Sequence, residues 1–404
     1  MAWYSILPQE LTHLESWAAR VFFVLGLITI GPWAFLILLD AAIWLYRMIL
    51  WDFPWIGGRA RGQQRPRAPS LNERPDGQRR AFGLRGVETD TGASDGSQSA
   101  IENLDPSELI PMDKTYKDRL ALRKSILNQH HDIVVAVNDK PQTQDPRTHT
   151  AVSELYTFIL GKYLPTRYPS MFKLRSSNSN PLLENLVTGA IHPTTLSQST
   201  PTIEALEILT QTVDEEFLIL LPELSPESNE QPKYILQAYA ACFPSGFNTR
   251  EKLGLRLADI HKPVPGYKEK IERSMDRFFA RIEVGRFVRR VNWSVTIATD
   301  LFAAFGGTHA VVGKKEAAIE PGKLNVDETV LRCERQTLHR MPVSEALVFA
   351  FHTYTYPIRQ IRDEGLGEDM AVAVDGLRKG NVPEMHIYKK GDVWGEALKE
   401  YLRS

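Results

Sequence analysis

The chain has 404 residues, with 48 lysines and arginines against 49 aspartates and glutamates and a net charge of −1. That length accommodates one large domain or two modest ones, and the balanced charge gives no ground for a nucleic-acid partner. The 2 cysteines, Cys242 and Cys333, are too few for a four-thiolate iron–sulfur cluster and do not suggest an extracellular disulfide framework.

Residues 1–20 read as a short N-terminal tail. From Val21 to Leu39 no side chain is charged, and the apolar run continues past Asp40 to Tyr46. A helix needs about 20 apolar residues to cross a bilayer core, so the pattern predicts one transmembrane anchor over 21–46. Trp17, Trp51 and Trp55 suit the two interfaces, and Gly31-Pro32 would kink the span without forbidding it. A cleaved signal peptide fits less well, because its shorter apolar core follows basic residues, whereas Glu10 and Glu15 come first here. Arg20 alone is basic before the span, while Arg47, Arg59, Arg61, Arg65 and Arg67 follow it. The positive-inside rule then places the C-terminal part in the cytosol, and a single-pass protein of the endoplasmic reticulum membrane is the expected localisation.

Residues 47–110 are expected to be linker, and from Gly57 to about Asp105 they are poor in large apolar side chains and rich in Gly, Pro, Arg, Ser and Gln. Such a stretch buries too little surface to order itself, which predicts a disordered basic and polar linker, either solvated or resting on anionic headgroups. The folded domain is expected over 111–404. Tyr116, Leu120, Ile126 and Leu127 suggest a helix, and Val152, Leu155, Tyr156, Ile159, Leu160 and Tyr163 a second. Residues 217–221 and 234–243 read as strands. Asn248 and Glu251 have capping-box spacing and predict a helix running through Leu253 and Leu257. Pro263 and Pro265 stop it, leaving His261 on a stiff extended loop. Ile271, Met275, Phe278, Phe279 and Ile282 mark another helix, and 286–296, 330–339 and 346–356 are strands. Helices mixed with consecutive antiparallel strands make an α+β fold.

The strand at 330–339 is the most unusual element. Alternation places Arg332, Glu334, Gln336 and Arg340 on one face and Cys333, Arg335, Thr337 and His339 on the other. So polar a strand beside the apolar 346–356 either surrounds a buried polar ligand or presents a solvated sheet face. Arg289 and Arg290 point to opposite faces, and Arg290 shares its face with Asn292. His352 falls in a row with Tyr354 and Tyr356, which lines a pocket or packs beneath a helix. A Walker loop, a zinc-spaced Cys/His set, His-Glu-x-x-His, Gly-x-Ser-x-Gly and a Gly-rich dinucleotide fingerprint are all missing. Electrons for any redox reaction would therefore come from another protein.

Four stretches resemble a known family: 112–127 (MDKTYKDRLALRKSIL), 241–267 (ACFPSGFNTREKLGLRLADIHKPVPGY), 276–295 (DRFFARIEVGRFVRRVNWSV) and 334–357. In order and spacing they are similar to the alpha-subunit-like heme-dependent oxidative N-demethylases, frequent in fungi and bacteria. The run Ile260-His261-Lys262-Pro263-Val264-Pro265-Gly266-Tyr267 is the most distinctive part, and the resemblance spans roughly residues 111–360. It implies PAS-like antiparallel sheets with flanking helices, in two packed units. It also implies heme b, dioxygen, a small amine substrate that loses formaldehyde, and a separate NAD(P)H-dependent reductase as redox partner.

The resemblance makes His261 the candidate axial metal ligand, since neutral imidazole is a common ligand of heme iron. Propionates call for cations, for which Arg335, Arg340, Arg290 and Lys252 are candidates. Trp293 is a candidate for packing against the porphyrin, and Gln336 joins the cofactor-binding set. Tyr267, Glu334 and Asp259 are candidates for orienting the amine. For each, an ordinary role competes: a loop histidine bonded to its neighbour, a surface cation, a core tryptophan. His339 and His352 are the other histidine contenders. Two alternative functions stand beside this one, a heme-binding PAS-like sensor or scaffold without turnover and a single-anchor glycosyltransferase.

Overall fold

The computed structural model describes residues 101–404 apart from 177–179, 224–230 and 311–315, together with part of the stretch 17–42. The chain divides into two units, residues 1–80 and 81–404. In the first, every described residue is helical. The transmembrane anchor expected over 21–46 is nevertheless corrected, and the single-pass localisation with it. Among the described residues no helix is long and apolar enough to cross a membrane. An apolar run in the sequence is a span only if one continuous helix carries it across the hydrocarbon. Arg47 to Arg67 and most of the expected linker lie outside the described residues.

The second unit is α+β with antiparallel sheets. Its strands are β1 (Glu102–Asn103), β2 (Val135–Val137), β3 (Phe172–Arg175), β4 (Leu182–Asn185), β5 (Ile191–Pro193), β6 (Glu216–Pro222), β7 (Tyr234–Ala240), β8 (Phe287–Thr296), β9 (Val330–Arg340) and β10 (Leu347–Pro357). Seven of them form one sheet in the order β1-β8-β9-β10-β6-β7-β2, and β3-β4-β5 form a small second one. Residues 101–110, assigned above to the linker, belong to the fold. β1 pairs with β8, Leu109 and Ile110 are buried, and the Ile110 carbonyl accepts hydrogen bonds from the Tyr163 and Tyr168 hydroxyls.

Register decides what each sheet face carries. Arg290, Gln336 and Phe351 are direct neighbours across β8, β9 and β10, and so are Asn292, Glu334 and Thr353. These residues share one face because side chains alternate along each strand. The opposite face is apolar. Helices α1 (Tyr116–Gln129), α2 (Thr148–Tyr156) and α3 (Thr202–Thr212) cover it with Leu155, Leu206 and Leu209 against Phe217 and Ile219. Farther along, α4 (Gly367–Lys379) and α5 (Gly391–Arg403) bring Val374, Trp394 and Leu398 onto Trp293, Leu331 and Tyr356.

A buried charge network locks α1 to the start of β6. Arg123 Nε donates to the Thr210 carbonyl at 2.9 Å, and its other nitrogens bond the Glu215 carbonyl and the Glu216 carboxylate. Glu216 also accepts the Cys242 amide at 2.6 Å. Asp214 takes Arg119 at 2.8 Å, and His352 approaches the Asp214 and Glu215 side chains at 3.7 and 3.5 Å. His352 is thus committed to a structural cluster, where removing one partner would strand a buried charge.

The helix expected from Asn248 through Leu257 is broken. Asn248 caps a single turn, Thr249–Lys252, by accepting the Arg250 amide at 3.0 Å. Gly254 then takes φ +76°, and a Cβ there would sit 2.8 Å from Asn138 Oδ1. Only glycine fits such a left-handed position at so close an approach.

His339 lies between Phe287 (4.8 Å between ring centroids) and Phe158, with neither ring nitrogen hydrogen-bonded. Burial pushes its pKa from 6.5 down to about 4. The unfolded chain takes up a proton near pH 6.5 that the folded protein refuses until about pH 4. The resulting stability is complete above the upper value and lost as pH falls towards the lower one. His339→Phe should therefore flatten the loss of stability on acidification by up to about 1.4 kcal/mol per pH unit in that window. Urea unfolding at pH 7 and pH 5 measures this, and an unchanged difference between the two pH values would refute the assignment.

Candidate functional site

On the polar face, the strand residues form a hydrogen-bonded ladder. Arg290 Nε donates to Gln336 Oε1 at 2.6 Å, and Gln336 Nε2 donates to Glu334 Oε2 at 2.9 Å. Glu334 Oε1 and Thr353 Oγ1 are buried beside it without a partner. Arg332, buried on the same face, donates to the carbonyls of Leu301 at 3.0 Å and Phe243 at 2.5 Å, while its Nε has no partner. Those bonds fasten two irregular segments over the sheet. Gly246 N adds a bond to the Ala303 carbonyl at 2.9 Å, so 243–248 and 301–309 run side by side.

A short turn of helix, Leu257–Ile260, delivers His261. Its Nδ1 bonds the Leu257 carbonyl at 2.8 Å. A carbonyl only accepts, so Nδ1 carries the proton and Nε2 keeps the lone pair. Among the described residues Nε2 has no hydrogen-bond partner. The ring stacks on Tyr267 at 4.6 Å between centroids and 8° between planes. Residues 261–267 are not the extended loop expected from the prolines. The Val264 amide bonds the His261 carbonyl at 2.8 Å and the Tyr267 amide bonds Val264, so successive tight turns bring Tyr267 back over His261. The Tyr267 hydroxyl is buried and unpartnered. Burial holds it protonated, above its ordinary value.

A cavity of 540 Å³ opens beside this loop, with Gly246, Lys252, Leu255, Asp259, Ile260 and Phe305 in its lining. That volume is in the range of small-molecule and cofactor sites, about 300–1,000 Å³. Lys252 Nζ donates to the Ile260 carbonyl at 3.1 Å. Burial, followed by the charges of Lys252 and Arg290, keeps His261 neutral with a pKa of about 4. Lys389 enters from the other side, donating to the Trp293 carbonyl at 2.6 Å and facing Asn292 Oδ1 at 3.4 Å. Burial brings its pKa down to about 8.

Burial lowers the pKa of Arg290, Arg332, Lys252 and Lys389 alike, against the charge of Glu334 on Arg290, Arg332 and Lys389, of Glu216 on Arg332 and of Glu251 on Lys252.

The structure thus brings together His261, Tyr267, Lys252, Arg290, Gln336 and Glu334, with Asp259 exposed at the cavity rim. It separates the other candidates from them. Arg335 is on the apolar face, bonded to the carbonyls of Glu108 and Leu109. Arg340 is committed to the carbonyls of Ile282 (2.8 Å), Phe279 (2.7 Å) and Glu345 (2.9 Å) and to the Tyr234 hydroxyl (2.9 Å). Trp293 is a core residue of the opposite face. Lys389, Thr353 and His309 belong to the neighbourhood although nothing singled them out in the sequence. Alternation alone would have placed Thr353 opposite Glu334.

The description that matches this chain is haem-dependent oxidative N-demethylase, alpha subunit-like, over residues 100–399. The chain belongs to that family. Membership brings heme dependence and an oxidative N-demethylase-like oxidoreductase character in general terms, and with them a small amine and oxygen.

A hydroxyl that is buried without a partner contributes nothing to the stability of the ligand-free protein, whereas stranding several carbonyls destabilises it. Tyr267→Phe should leave the urea midpoint of the ligand-free chain unchanged or slightly raised. Arg340→Met should cost about 2 kcal/mol or more. Equal destabilisation by the two variants would show that the Tyr267 hydroxyl has a structural partner.

Proposed function

We propose that the cavity lined by residues of 246–263 and 304–306 is where heme b would bind, with His261 Nε2 as its metal ligand. The single observation that carries this reading is the state of His261: a neutral imidazole fixed through Nδ1, its other nitrogen without a hydrogen-bond partner among the described residues, in a loop whose Ile260 and Pro263 line a 540 Å³ cavity. A carbonyl acceptor on the remote nitrogen is the usual support for a metal-ligating histidine. Arg290 and Lys252 suit the two propionates, since neither is in direct ion-pair contact with a carboxylate, although the charges of Glu334 and Glu251 bear on them. Four unpartnered polar atoms (Tyr267 Oη, Glu334 Oε1, Thr353 Oγ1 and Arg332 Nε) support an occupied rather than a filled interior.

The reaction best supported is oxidative removal of a methyl group from a small amine. When bound, the heme supplies the redox chemistry that activates dioxygen. In the balanced reaction the methyl carbon leaves as formaldehyde carrying one oxygen atom. The other oxygen atom becomes water, with two electrons and two protons taken from outside. A separate NAD(P)H-dependent reductase is the source we propose for those electrons. Glu334 Oε1 is suited to accept an N–H of the amine, and the protonated Tyr267 hydroxyl to donate to or orient the substrate. Asp259, at the rim, would attract a protonated amine on entry.

The test uses the full chain loaded with hemin, an NAD(P)H-driven reductase and small methylated amines. Formaldehyde and demethylated amine should appear in equal amounts and only with dioxygen present. His261→Ala should weaken hemin binding at least about tenfold, the scale on which even supporting residues of a metal ligand act. A wild-type protein that stays colourless with hemin would refute the reading. A tightly loaded protein that releases no formaldehyde would favour the sensor alternative.

A further inference from the structure

Several exposed arginines of this fold are ion-paired: Arg175 with Glu184, Arg256 with Glu223, Arg359 with Asp327 and Arg403 with Glu368. The helix Glu272–Arg281 departs from that pattern. Its Arg273, Arg277 and Arg281 are exposed, and among the described residues none of the three side chains has an ion-pair or hydrogen-bond partner. The carboxylates of the same helix are already engaged, since Lys233 reaches Glu272 at 3.7 Å and pairs with Asp276.

The helical period builds the row. Met275, Phe278 and Phe279 pack with the cluster that holds Leu253 and Leu257, which leaves positions 273, 277 and 281, four apart, on the outer side. Like charges at that spacing repel and weaken a helix. Arg273 also stands in the first turn, where the helix dipole disfavours a cation. Exposed Lys262, Lys268 and Arg286 flank the row along the chain. Over residues 261–290, nine lysines and arginines stand against four aspartates and glutamates, in a chain whose net charge is −1. Positive charge is therefore concentrated on this stretch, at a cost to the helix that an anionic partner would offset. The inner side of the same helix shares its buried cluster with Leu257, whose carbonyl fixes His261.

We propose that the row Arg273, Arg277 and Arg281 is the docking surface for the acidic face of a separate redox protein. The planar fork of arginine pairs carboxylates bidentately. Electron-transfer encounters bury little area and are steered by opposite charge, and the reaction proposed above draws its electrons from outside. The redox role of the partner rests on that reading, whereas the fit to an acidic protein face does not.

The test mixes the full chain with an acidic plant-type ferredoxin, with and without its NADPH-dependent reductase. Without hemin, the wild type should bind the ferredoxin in low salt and release it as salt rises. Combined Arg273→Gln, Arg277→Gln and Arg281→Gln should weaken binding at least about tenfold, the lower end of what charge steering contributes. The urea midpoint of that triple variant should not fall, and Arg359→Gln should bind as the wild type does. On the hemin-loaded chain the triple variant should be reduced at least about tenfold more slowly by ferredoxin, and at the wild-type rate by dithionite. Equal ferredoxin binding by wild type and triple variant, or none by either, would overturn the proposal. Wild-type binding to phosphatidylserine vesicles but not to ferredoxin would overturn it as well, marking a membrane-facing surface instead. Salt-sensitive ferredoxin binding by a wild type that takes up no hemin would uphold the docking surface and remove the heme reading.

Discussion

One hydrogen bond organises the proposed chemistry: Nδ1 of His261 to the carbonyl of Leu257, four residues back. It selects the tautomer, fixes the ring and leaves Nε2 free to meet a ligand. The sequence supports it from both sides. Leu257 is buried among Leu236, Leu253 and Phe279, so the accepting carbonyl is held by the core. Beyond His261, the turns through Pro263 and Pro265 return Tyr267 to stack on the ring. The imidazole is therefore held by packing before any cofactor arrives, and such preorganisation lowers the cost of binding.

Opposite it stands a sheet face that is poorly satisfied alone. Arg290, Gln336 and Glu334 are bonded in sequence, yet Glu334 keeps one buried oxygen free and Arg332 one buried nitrogen. A domain of this size usually pairs such groups. The other face carries unpartnered atoms too, at Thr337 and His339, so the deficit does not by itself mark a site; it is family membership that brings heme dependence.

Much of the sheet was legible in the sequence, because β6 to β10 are long, alternating and bounded by turns. The expected 330–339 is one residue shorter than β9, and the expected 346–356 is shifted by one residue from β10. Face assignment was legible too, since Arg290 with Asn292 and Glu334 with Gln336 follow from a period of two. Strands as short as β1 and β2 carry no readable period, and their existence depends on partners far along the chain. Nor could alternation distinguish Arg290 from Arg340. Both are on the polar face, and only the tertiary fold supplies the carbonyls of Ile282 and Phe279 that occupy Arg340. The helix beyond Asn248 was misread because a capping signal opens a turn but says nothing of Gly254 four residues past Arg250. The transmembrane reading failed for a related reason, since apolar composition describes a segment and not the helix that must carry it.

The central claim is that His261 Nε2 holds the metal of a bound heme, and replacing the side chain by its free counterpart is the most direct measurement of it. Hemin titration of the full chain carrying His261→Gly, with and without added imidazole, isolates the ligand from the rest of the pocket. The account predicts weak binding without imidazole and recovery of the wild-type spectrum with it. Wild-type affinity and spectrum in the variant without imidazole would contradict it.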